Sequence, residues 1–111
     1  DWKKLSAAST ALTNEIPGLV LDPNGKILSY DFETQCHSVF KNVRSILEES
    51  GTAWKNLVDI TVFLTNMRDD FNTYNQLYAK YFKEAQPCRT TVEVSRLPTQ
   101  IAIELKCIAT I

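Results

Sequence analysis

At 111 residues the chain has room for one hydrophobic core, and so for a single domain over 1–111, because halving it would leave neither part able to bury enough surface. Its 44% hydrophobic and 23% charged content is that of a folded globular protein, and a net charge of −1 argues against nucleic acid or an anionic membrane as partner. Three cysteines, Cys36, Cys88 and Cys107, without CxxC spacing imply neither a full disulfide framework nor a zinc ribbon, and no apolar run nears the ~20 residues of a bilayer span, so a cytoplasmic or mitochondrial protein with reduced thiols is expected.

Residues 1–17, rich in Ser and Ala and broken by Pro17, hold at most one strand. Leu19 to Leu21 and Lys26 to Leu28 flank Asp22-Pro23-Asn24-Gly25, whose Asn-Gly pair signals a short hairpin. From Asp31 to Ser50, Phe32, Cys36, Val39, Phe40, Val43, Ile46 and Leu47 recur at three- and four-residue steps, the stripe of a helix capped by Asp31 and stopped at Gly51. His37, the one histidine, falls between these core positions as a surface or interface residue and leaves no basis for a His-based triad or multi-His metal site.

Leu57 to Thr65 alternates β-branched and polar residues, as a strand does. After an Asn66–Arg68 turn, Asp69 to Phe82 reads as a second amphipathic helix through Phe71, Tyr74, Leu77 and Tyr78, with Asp69-Asp70 complementing its dipole. Arg89 to Ser95 and Ile101 to Ile111 are two further strands. In the last one Ile101, Ile103, Leu105, Cys107 and Ala109 share an oily face, and Ala102, Glu104, Lys106 and Thr110 the other. This order predicts an α+β fold, two helices on one face of a mixed sheet. The opposite face, expected to carry Phe63, Thr91, Glu93 and Lys106, mixes apolar and charged groups as an oligomer interface with a polar site does.

If the last two strands form a hairpin, burial selects the register with Arg89 opposite Glu104 and Thr91 opposite Ala102, all on the polar face. Spacing alone makes Arg89 and Glu104 a cross-strand ion pair worth ~0.2–1 kcal/mol.

The wider pattern changes that reading. Pro87-Cys88-Arg89-Thr90-Thr91-Val92-Glu93-Val94-Ser95-Arg96-Leu97-Pro98 followed by Ile103-Glu104-Leu105-Lys106-Cys107-Ile108-Ala109 resembles the C-terminal signature of the RidA (YjgF) family. Gln35 to Asn42, Leu47 to Gly51, Val58 to Met67 and Phe71 to Phe82 match its middle in the same order, so the resemblance covers roughly residues 22–111. It implies a chorismate-mutase-like (YjgF-type) α+β fold and a homotrimer whose sheets form a central barrel, with active sites in the clefts between subunits.

The implied activity is cofactor-independent hydrolysis of reactive 2-imino and 2-enamino acids, 2-aminomuconate among the candidates, to 2-oxo acids and ammonia, with no metal. Arg89 matches the family arginine that holds the substrate carboxylate, and Glu104 the glutamate that positions water or moves protons. Asn75 matches an asparagine near the site, Thr91 stands where many members have cysteine, and Ser6 is matched to a family serine. Residues 1–21 diverge: the Gly-Pro-Tyr-Ser segment of many members is missing, Ala7 stands in place of a glycine, and an insertion runs up to Pro23. Two other readings are a non-catalytic trimeric metabolite-binding or regulatory protein using the same cleft, and a nuclease or translation inhibitor, which the charge pattern disfavours.

Overall fold

The computed structural model describes the backbone of residues 2–8 and, with side chains, residues 16 and 18–111. Most of the insertion expected before Pro23, and the side chain of Ser6, lie outside these described residues. In chain order the elements are β1 (Trp2–Ala8), β2 (Leu19–Leu21), β3 (Ile27–Tyr30), α1 (Phe32–Glu49), a 3-10 turn (Trp54–Asn56), β4 (Leu57–Leu64), α2 (Met67–Tyr81), β5 (Cys88–Glu93) and β6 (Ile103–Thr110).

The apolar stripe of α1 faces the core: Cys36, Val39, Phe40, Val43 and Leu47 are essentially inaccessible. Asp31 caps it, its carboxylate accepting from the Thr34 N–H at 3.3 Å and hydroxyl at 2.8 Å. Gly51, at φ +80°, takes the left-handed conformation that ends the helix. α2 starts two residues before the expected Asp69, because Asn66 is its cap. The Asn66 amide oxygen accepts the Asp69 N–H at 3.1 Å, and its NH2 donates back to the Asp69 carboxylate at 2.8 Å. Asp70 does not merely complement the dipole: it is buried, and accepts the Tyr30 hydroxyl at 2.7 Å, tying the β2–β3 hairpin to α2.

The main sheet runs β1-β6-β4-β5, with β1/β6 and β4/β6 antiparallel and β4/β5 parallel. The expected hairpin between β5 and β6 does not form: β4 lies between them. The β4-α2-β5 passage is a crossover unit, so β5 returns parallel to β4 on its free side. The connection over 94–102 passes the end of β4, with the Val94 N–H donating to the Leu64 carbonyl at 2.9 Å and the Thr65 N–H to the Ala102 carbonyl at 3.2 Å.

Residues paired laterally share a face, so the register assigns the two sides of the sheet. Ile60, Val62 and Leu64 of β4 and Ile103, Leu105, Cys107 and Ala109 of β6 point to the helices and are buried. Arg89, Thr91 and Glu93 are paired with Ile60, Val62 and Leu64, and therefore lie on this helix side. That corrects the expected polar face. Phe63, Glu104 and Lys106 do occupy the far face, joined by Val92 and Ile108, whereas Thr91 and Glu93 do not. Glu93 instead accepts the N–H of Met67, in the first turn of α2, at 2.9 Å.

Candidate functional site

Arg89 sits near the start of the edge strand β5, with α2 standing over the same face. The α2 positions 74, 75 and 78 meet it: Nη1 donates to the Asn75 amide oxygen at 2.8 Å, and the guanidinium carbon lies 4.7 Å from the Tyr78 ring centroid and 5.7 Å from that of Tyr74. The two rings hold the guanidinium from beneath and Asn75 fixes its rotation. Burial raises both phenols above the ordinary tyrosine range, while the positive charge of Arg89 pulls the other way. Neither tyrosine acts as a base near neutral pH. Arg89 remains exposed, and among the described residues only one of its five N–H groups has a protein acceptor, which leaves a fork open to an incoming carboxylate.

Two positions on, Thr91 points to the same side and is half-buried. Among the described residues its hydroxyl has no hydrogen-bond partner, and neither has the buried hydroxyl of Tyr74. Buried polar atoms are seldom left so. Both groups belong to the cluster around Arg89, so the α2/β5 seam holds hydrogen-bonding capacity that the fold does not use.

Glu104 is elsewhere. Arg89 is level with Ile60 and Cys107, and Glu104 is three residues further along β6, paired with Phe63 on one side and Ala8 on the other. Two strand spacings and three residues along the strand put their Cα positions about 14 Å apart. The side chains also project to opposite faces of the sheet, so within one chain they cannot meet. The backbone of Ser6 is paired with Lys106, which groups Ser6 and Glu104 on the β1/β6 side. The structure thus brings Arg89, Asn75 and Thr91 together, and separates Glu104 and Ser6 from them.

Tyr74 and Tyr78 were legible in the sequence only as core stripe. Their i, i+4 spacing places them on one ridge, but no local signal says that the ridge lies over an arginine. The thiols are less involved: Cys36 and Cys107 are buried, and burial pushes both up to about 12, whereas Cys88 is exposed and unpaired. No group of three or more His, Cys, Asp or Glu among the described residues is placed to hold a metal ion, and no helix among them is long and apolar enough to cross a membrane.

Two helices on a mixed sheet, with an arginine presented at the sheet edge, define an α+β fold of the YjgF type. A family model described as Endoribonuclease L-PSP matches residues 15–111, and the chain belongs to this family, the YjgF/RidA family. It is 39% identical over 99 residues to RutC family protein PH0854 of Pyrococcus horikoshii, covering 88% of this chain and 75% of that one. It is 36% identical over 107 residues to the chloroplastic Reactive Intermediate Deaminase A of Arabidopsis thaliana, covering 96% of this chain and 56% of that protein. Among solved structures, E. coli TdcF with bound serine is similar at a TM-score of 0.67 and 34% identity, over 77% of this chain and 68% of that one. The family includes reactive intermediate deaminases, as well as proteins named for other roles.

Proposed function

We propose that the chain is the subunit of a homotrimeric, cofactor-independent deaminase that hydrolyses reactive 2-imino or 2-enamino acids to 2-oxo acids and ammonia. The observation that carries this reading is the Arg89 fork, exposed at the sheet edge but fixed by Asn75 and two tyrosine rings. Such a fork suits a planar carboxylate, which it grips through two parallel hydrogen bonds. The serine bound by TdcF and the name of the Arabidopsis relative point to the same ligand chemistry.

Because Glu104 faces away from Arg89 in its own chain, the reading takes Arg89 from the β5 edge of one protomer and Glu104 from the far face of its neighbour's sheet. With the substrate carboxylate on Arg89, Glu104 removes a proton from water as its oxygen adds to the C=N carbon. The same carboxyl returns that proton to nitrogen, giving a carbinolamine, then takes the hydroxyl proton as the C=O bond forms and passes it to the amino nitrogen, so that the C–N bond breaks and ammonia leaves. Arg89 and Asn75 act by holding the substrate in line for that attack, and the Thr91 hydroxyl supplies a further contact. Ser6, on the strand beside Glu104, contributes to the opposite wall.

The test is to generate 2-iminobutyrate or 2-aminomuconate in situ and follow ammonia release. The wild-type protein should exceed the uncatalysed rate. Arg89→Ala should lower kcat/KM by on the order of 100-fold, chiefly through KM, and Glu104→Ala should lower kcat. A folded trimer with no rate above background over a panel of imines refutes the enzymatic reading and leaves a metabolite-binding protein using the same cleft.

A further inference from the structure

We infer that a second ligand site, for a compact polyanion bearing adjacent phosphate groups, lies at the C-terminal end of α2. A cavity of about 280 Å³ opens there, lined by Arg44, Trp54, Lys55, Lys80, Tyr81 and Lys83, and also by Glu84. Four cations thus face one hollow against one carboxylate, in a chain whose net charge is −1. The concentration is local and arises from four parts of the fold: α1 supplies Arg44, the 3-10 turn Lys55, α2 Lys80, and the segment after α2 Lys83.

Lys80, in the last turn of α2, and Lys55, in the 3-10 turn, have an ordinary reason to be here, because a helix end presents its carbonyls and favours positive charge. Arg44, in the body of α1, and Lys83, past the end of α2, do not share it. Nor are these charges neutralised within the fold: among the described residues none of the four cations has a carboxylate within bridging distance. Four like charges held around one hollow repel each other, and a bound polyanion would relieve that.

The aromatic floor narrows the ligand class. The Arg44 guanidinium covers one part of Trp54, its carbon 5.2 Å from the ring centroid, and the Phe82 ring lies tilted against the indole, with centroids 4.7 Å apart at 34°. The edge of Phe40 abuts it at 6.2 Å, and its N–H is spent on the Tyr81 carbonyl at 2.8 Å. A guanidinium and two rings crowd the indole and its donor is engaged, so Trp54 is a poor platform for the base stacking that single-stranded nucleic acid uses. What remains is a charged cup of small volume. It suits the di- or triphosphate group of a small metabolite or free inorganic oligophosphate.

The experiment is calorimetric titration of the full chain with tripolyphosphate, with ATP, with adenosine and with a single-stranded RNA 12-mer, at two salt concentrations. Tripolyphosphate and ATP should bind within a few-fold of each other and weaken with salt, and adenosine should not bind. The exposed-site variants Lys80→Gln and Lys83→Gln, both folding with unchanged Tm, should each weaken tripolyphosphate about tenfold, and Glu84→Gln should tighten it. The proposal is overturned if tripolyphosphate produces no heat, if the lysine variants bind it as wild type does, or if RNA binds in preference to it. Imine hydrolysis by Lys80→Gln should be unaltered, so failure here and failure of the deaminase reading are distinguishable.

Discussion

A mixture of two inactive variants should regain activity if the site is composite. Arg89→Ala keeps an intact Glu104 and Glu104→Ala an intact Arg89. The two groups lie about 14 Å apart in Cα position on opposite sides of one sheet, so a productive pair must come from two chains. In a cyclic trimer with heterologous contacts, each cleft takes one residue from each of two neighbours. With equal amounts and random assembly, about a quarter of the clefts combine the intact arginine with the intact glutamate, so coexpressed variants should recover about a quarter of the wild-type rate. The double variant mixed equally with wild type should likewise give about a quarter for a composite cleft, against about a half if each site belongs to one chain. The assay is ammonia release from an in situ imine, with two affinity tags and native mass spectrometry to establish that mixed trimers formed. Mixed trimers that stay at the background of the two variants would refute the shared-cleft arrangement.

Asp70 offers a pH test. Burial raises its carboxyl above the ordinary range and the Tyr30 hydrogen bond lowers it. A carboxyl raised in the native state holds its proton more tightly there, so it costs stability as pH climbs from its unfolded pKa through its native one. Tyr30→Phe removes the compensating donor and should cost about 1.5–3 kcal/mol near neutral pH and less near pH 4, seen in urea unfolding at the two pH values. Phe40 is fully buried among Trp54, Tyr74, Tyr81 and Phe82, so Phe40→Ala should cost ~3–5 kcal/mol by the same measurement. Asn66→Ala should cost ~1 kcal/mol, because it deprives Asp69 of its N–H acceptor, and a stability equal to wild type would refute the capping role.

The helices and strands were legible because their signals are local. The stripe from Phe32 to Leu47 and the alternation from Leu57 to Leu64 each repeat with the period of their own element, and both segments were placed to within a residue at most boundaries. Asn66 was misplaced in a turn because an N-cap and a turn use the same residue types, and only the bonds to Asp69 tell them apart. The family signature, being linear, was also readable. It brought Arg89, Asn75 and Glu104 forward as candidates without saying which of them touch.

The neighbours of β5 were a different matter. Alternation in RTTVEVS separates Thr91 and Glu93 from Val92 and Val94, but it does not say which set faces the helices when both sides of a sheet carry apolar groups. Burial argued for the valines. In the fold, the tyrosines of α2 accept Arg89 on the helix side, and Val92 lies with Phe63 and Ile108 on the other. By itself, then, the sequence determined the elements, their order, the family and the residues worth testing, since each is written in local period or linear motif. Only the tertiary structure decided that β4 separates β5 from β6, and so that the arginine and the glutamate face apart. Strand neighbours are chosen by long-range packing, to which a period of two residues is blind.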